Sequence, residues 1–144
     1  MTRPTAARID LGSRATELRW ATAIFAVALL VHGADHLRRG MDTISSTVMV
    51  LGTVQFVAAA LTIALVLRGH RWAPTAAVLI GFVSAAGFIL VHLFPDWFGP
   101  FSDSFINPPA SAKVTGFSWF AALFEIVADI ALGIAGLRAG RSPN

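Results

Sequence analysis

Residues 31–40 read VHGADHLRRG, so an otherwise apolar stretch carries His32, Asp35 and His36 within one turn and a half of helix, just ahead of Arg38 and Arg39. On a helix, positions 32 and 36 lie one turn apart on the same face with Asp35 beside them, so two imidazoles and a carboxyl converge. Ionisable groups are costly inside a hydrocarbon layer and mark ion sites or proton paths there. An i, i+4 imidazole pair is half of a site for a divalent metal such as zinc, iron, copper or manganese. The remaining nitrogen or oxygen donors must come from neighbouring helices. His92, Glu125, Asp129 and Gln55 interrupt other apolar blocks of the chain and are the available donors.

Those blocks are the elements that must position the donors. The 144-residue chain is 56% hydrophobic and only 13% charged, far from a soluble composition. From Ile44 to Leu67 no residue carries a charge, and from Trp72 to Leu93 the only titratable group is His92. Each block exceeds the roughly 20 residues that cross a bilayer core as a helix. With two blocks that include acids, the expected spans are 20–37, 44–67, 73–94 and 114–137. The expected fold is all-α, an antiparallel bundle of four transmembrane helices. It is preceded by a polar segment, 1–19, and followed by a short polar tail, 139–144.

The connections 38–43 and 68–73 are short and make helices one to three sequential neighbours. Pro74 suits a first helical turn, and Pro95 can stop a helix. The third connection, 95–112, reads PDWFGPFSDSFINPPASA and is too irregular to face lipid. It is expected either to lie over the outer mouth of the bundle or to be an ordinary connecting loop.

Charge distribution orients this arrangement. With four spans, Arg3, Arg8, Arg14, Arg19, Arg68, Arg71, Arg138 and Arg141 share one side, which is eight of the eleven basic residues. Basic loops are retained on the cytoplasmic side, so both termini are expected in the cytoplasm of a bacterial cell, with the chain multi-pass in the inner membrane. These arginines flank spans and suit lipid headgroups rather than nucleic acid. The expected partners are the lipid bilayer and either another membrane protein or further copies of the chain. Trp20, Trp72, Trp97 and Trp119 fall at or near the expected boundaries, as an aromatic belt does. The chain has no cysteine, which excludes disulfides, thiolate metal sites and cysteine nucleophiles.

Counting about 1.5 Å per residue along each span puts His32, Gln55 and Glu125 at one level, roughly 18 Å from the inner boundary, with Asp129 about 6 Å deeper. His92 comes near the level of His36. No lysine or arginine is expected deep enough to neutralise the acids. An unpaired buried carboxylate needs a proton, a histidinium or a bound cation. Four chemistries follow. The first is a divalent-metal site of His32, Asp35, His36, His92 and Glu125. The second is a proton relay for coupled transport, with Glu125, Asp129, His32 and His36 as relay groups, or else a purely structural polar network that includes Gln55, Glu125 and Asp129. The third is a haem held by His36 and His92, with arginines near its propionates. The fourth is a hydrolytic site of Ser102, Asp103 or Ser104 with His92, whose required geometry the sequence does not carry. Catalytic residues are not assigned, and the balance of these readings leans away from an enzyme. His70, flanked by arginines in a turn, is expected on the surface. The GxxxG run from Gly136 to Gly140 is a weak helix-pairing signal.

At HGADHLRRG (His32 to Gly40) and HLFPDWFGPFSDSF (His92 to Phe105) the chain resembles small four-span integral membrane proteins of high-GC actinobacteria. The resemblance implies that the polar segment of helix one and the outer loop belong to one functional unit. It brings no activity with it.

Overall fold

The computed structural model describes residues 4–141, with side chains from residue 12 onward. Arg3 and residues 142–144 lie outside it, as does the side chain of Arg8. Four long helices make up the described chain: α1 (Pro4–Arg39), α2 (Ser46–Leu67), α3 (Ala73–Phe88) and α4 (Gly116–Ala139). No strand occurs among the described residues. The stretches long and apolar enough to cross a membrane are Gly12–Arg39, Ser46–Leu67, Ala73–Leu93 and Gly116–Ala139. Helix α1 thus begins well before Trp20 and runs without interruption through most of the segment 1–19, expected to be a polar stretch outside the spans.

Local sequence accounts for the ends of the helices. Ser45 caps α2 by accepting a hydrogen bond from the Val48 amide at 3.1 Å. Helix α2 ends in a Schellman turn: the His70 amide donates to the Leu65 carbonyl and the Gly69 amide to the Val66 carbonyl, each at 3.0 Å. Gly69 takes the left-handed conformation that this turn requires, at φ +61°. Pro74 occupies the first turn of α3, as its spacing predicts. Thr115 and Ser118 form a capping box at the start of α4.

Residue pairings show that neighbouring helices run antiparallel. Glu17 meets Arg138 and Asp35 meets Ser118, so α1 and α4 run in opposite directions. Gly81 abuts Asp129 and Gly133 while Gly136 abuts Pro74, which gives the same relation between α3 and α4. Helix α4 is packed between α1 and α3, and α2 leans chiefly on α3. The core is built of small residues, among them Ala28, Ala59, Ala77, Ala128 and Ala135, around Phe25 and Leu132. Small side chains let apolar helices approach closely, which is how helices associate when lipid removes the hydrophobic drive. Gly136, half of the GxxxG run, is used inside the chain in this way.

The outward faces are apolar. Val50, Val54, Phe56, Leu61, Leu30, Val83 and Val127 are among many large hydrophobic side chains left exposed. A soluble monomer does not expose apolar surface on this scale, whereas lipid covers it at no cost. Trp20, Trp72 and Trp97 stand on this outer surface, while Trp119 turns in against Phe105 at 5.7 Å. The first three fit an aromatic belt. Trp119 is part of the loop packing.

Candidate metal centre

Beyond Phe88, α3 continues as a π-helical turn, Ile89–Leu93, and this turn carries His92. Such widened turns occur mostly within α-helices at functional sites, because they re-aim side chains and loosen the backbone ladder. Nothing in the sequence signalled it. His92 is buried and its ring lies 5.1 Å from that of His32 and 6.0 Å from that of His36. His32 and His36 are 4.7 Å apart, edge to face. The potential ligand nitrogens of all three lie within 4.8 Å of one another. A tetrahedral zinc with bonds of about 2.0 Å places its ligand atoms about 3.3 Å apart, so small rotamer adjustments would close the triad around an ion.

The hydrogen bonding of the triad is lopsided. His92 Nδ1 lies 2.9 Å from the backbone oxygen of Asp103, a contact in which the ring nitrogen donates and the carbonyl accepts. That bond leaves the Nε2 lone pair free, the usual way in which a protein sets the tautomer of a metal-binding histidine. By contrast, both ring nitrogens of His32 and Nδ1 of His36 are buried with no hydrogen-bond partner. Three orphaned imidazole nitrogens in one place are an unusual cost for a buried polar cluster and are what a metal would satisfy. The donor set, imidazole alone, suits zinc, copper, iron or nickel rather than magnesium or calcium.

Phe88 packs on His32 at 4.8 Å, and Phe105, from the connection 95–112, covers His92 at 4.6 Å. The connection is therefore a roof. Arg39, fully buried, holds it down: Nη1 and Nη2 donate to the two carboxylate oxygens of Asp103 at 2.7 and 2.6 Å, and Nε donates to the Ala112 carbonyl at 2.8 Å. The Asp103 amide bonds the Val91 carbonyl and the Phe105 amide bonds the His92 carbonyl, so the roof also uses backbone groups of the π turn. As part of the last turn before the extended Phe94, those carbonyls have no donor within the helix.

The remaining sequence candidates sit elsewhere. Asp35 does not join the histidine triad. It accepts hydrogen bonds from Arg38 Nε at 2.9 Å and from Ser118 Oγ at 3.2 Å. The expectation that no cation reaches the acids is thus corrected for Asp35, because Arg38 curls back along α1 with its guanidinium only partly exposed. Gln55 donates to Ser84 Oγ at 3.3 Å and stays out of the triad. Glu125 and Asp129 are fully buried on α4 and all four of their oxygens lack a partner. Neither belongs to the triad. Aligning α1 and α4 at Asp35 and Ser118 places Glu125 about 6 Å deeper than His32, and aligning them at Glu17 and Arg138 places it about 3 Å deeper. Counting along isolated spans had set the two level, since it lacked the stagger between helices.

Two alternative chemistries fit the geometry less well. A porphyrin between His36 and His92 would need the space in which the His32 ring lies, 4.7 and 5.1 Å from theirs. For a hydrolytic site, Ser104 Oγ is spent on the Phe94 carbonyl at 2.6 Å, and it accepts from the Ile106 amide as a turn residue does. Ser102 Oγ makes no hydrogen bond, so neither serine is joined to His92. His70 is exposed, as its setting predicts. Comparison with protein families, with curated proteins and with solved structures finds no match for this chain.

Proposed function

We propose that this chain is a multi-pass membrane protein that binds one transition-metal ion, zinc or copper in character, between His32, His36 and His92. The carrying observation is the convergence of three buried imidazoles whose nitrogens are orphaned, under a roof that fixes the tautomer of one of them. Three neutral ligands leave the charge of the ion and a fourth coordination position to be filled from outside the triad. The Asp103 carboxylate, 3.6 Å from His92 Nδ1, supplies negative charge behind the ligand. Compared with the five-residue site expected from sequence, this reading drops Asp35 and Glu125 as ligands.

Metal analysis of detergent-purified protein, with Co2+ as a spectroscopic stand-in, tests it. Wild-type protein should hold close to one ion per chain and show the bands of low-symmetry nitrogen ligation. His32→Ala and His92→Ala should lose both, while His70→Ala keeps them. Equal metal content in all four proteins would overturn the reading and leave the histidines as packing residues.

We further propose that both termini face the cytoplasm and that the roofed end faces outward. Arg14 reaches the Arg141 carbonyl, Glu17 meets Arg138, and Arg19 lies beside Gly69 and His70 around a shared recess. Most of the basic residues therefore gather at the end opposite the roof, which favours the cytoplasmic side for that end. Because the native chain has no cysteine, single cysteines at Ser13 and Ser111 can report sidedness in intact cells. An impermeant maleimide should label only the cysteine at position 111, and labelling only at position 13 would reverse the topology.

A further inference from the structure

Eight buried side-chain polar atoms among the described residues have no hydrogen-bond partner, and seven of them belong to His32, His36, Glu125 and Asp129. The eighth is Ser102 Oγ, in the roof. Four of the orphaned atoms belong to Glu125 and Asp129, which lie one turn apart on α4 and, by helix rise, deeper than the histidine layer. Buried polar atoms are otherwise satisfied almost everywhere in proteins, so four orphaned carboxyl oxygens one turn apart mark a place for a polar species.

Below Asp129 no further orphaned side-chain polar atom occurs among the described residues. The backbones of α3 and α4 touch there: a Cβ on Gly81 would stand 2.5 Å from the Asp129 carbonyl oxygen and 2.5 Å from the Gly133 nitrogen. Leu132, Ala135, Gly136, Ala77 and Ala73 are buried around this contact and present no polar side chain. No titratable residue faces the carboxyl pair from α1 between Arg19 and His32, from α2, or from α3 between Arg71 and His92. Close α3–α4 backbone packing and apolar side chains thus lie between the pair and the basic end.

We propose that Glu125 and Asp129 form an intramembrane proton site reached only from the roofed end, the blind end of a half-path. A proton is the fitting occupant. Calcium and magnesium take six or more oxygen ligands, whereas this site offers two carboxyls on an unbroken helix that releases no backbone carbonyl. Chains of acidic and histidine side chains are the common carriers of protons within membranes. The site needs nothing bound at the histidines, so it stands apart from the metal reading.

Infrared spectroscopy of the reconstituted full chain, kept in chelator throughout, tests it. The C=O stretch of a protonated carboxyl in apolar surroundings should be present, should be lost from wild type as the buffer is made alkaline, and should shift on transfer to D2O despite complete burial. Glu125→Gln and Asp129→Asn, made singly so that one acid remains to support folding, should each remove part of the band. Phe105→Ala should speed the deuterium shift at least several-fold by opening the roof. A band that neither titrates nor exchanges, or exchange indifferent to Phe105→Ala, would overturn the proposal.

Discussion

His92 Nδ1 donates to the backbone oxygen of Asp103 at 2.9 Å, and the side chain of that same Asp103 is gripped by Arg39 through two hydrogen bonds. One loop residue thereby fixes a candidate metal ligand from α3 and the C-terminal end of α1. Loop and ligand cannot move independently while this contact holds.

Arg39→Met should therefore be severe. It strands a buried carboxylate, which costs about 3–5 kcal/mol, and should lower the melting temperature of the detergent-solubilised protein accordingly. Arg39→Met combined with Asp103→Leu removes both charges and should recover much of the loss. Equal melting of the single and double variants would show that the ion pair is not what holds the loop. Glu17→Gln breaks a pair that is 58% and 39% exposed and should cost less than about 1 kcal/mol.

Metal removal should destabilise the wild type selectively. An ion held at one hundred times its dissociation constant adds about 2.7 kcal/mol to stability, so chelation should lower the melting temperature by that equivalent. His32→Ala should melt at the same temperature with and without chelator. Glu125→Gln should keep the chelator response, since Glu125 lies outside the triad; loss of the response in that variant would return Glu125 to the ligand set.

The roof makes a chemical prediction. Phe105 is 3% exposed and covers His92, so diethyl pyrocarbonate added to the wild type should modify His70 and spare His92. Phe105→Ala opens the layer, with a stability loss of about 3–5 kcal/mol from the lost aromatic burial. Peptide mass mapping should then find His92 modified. A rate at His92 unchanged by Phe105→Ala would mean that the loop does not shield the site.

Glycine substitutions separate packing from helix propensity. Gly81→Ala forces α3 away from α4, because the new methyl meets backbone rather than a mobile side chain, and should destabilise by about 1–3 kcal/mol or more. Gly52→Ala meets nothing within 4 Å on the exposed face of α2 and should stabilise by about 0.5–1 kcal/mol. Thermal melts of the two variants in one detergent give the comparison, and a shift of the same sign in both would contradict the close α3–α4 approach.

Much of the helical layout was legible because apolar block length is a strong signal. The block from Ile44 to Leu67 and the turn at Arg68 to Arg71 correspond to α2 and its Schellman end to within two residues. The start of α1 was not legible from hydropathy, since residues 4–19 are polar yet free of helix breakers after Pro4 apart from Gly12. Of the site, the His32 and His36 pair could be read from i, i+4 spacing on one helix. The roles of Arg38 and Arg39 could not, because a guanidinium at a helix end reaches acids on its own helix or on a distant loop with equal ease.

From composition and spacing alone came the class of protein, the number of apolar helices, the basic end and the list of polar residues that had to turn inward. These follow from local rules, since hydropathy and helical period are properties of neighbouring residues. The tertiary structure alone decided which of those polar residues share a site. His32, His36 and His92 meet because a π turn and a strapped loop bring α3 to α1, while Glu125 falls deeper through the stagger of α4 against α1. Stagger, turn widening and loop anchoring are set by contacts between residues far apart in the chain, such as Arg39 with Asp103 and Gly81 with Gly133.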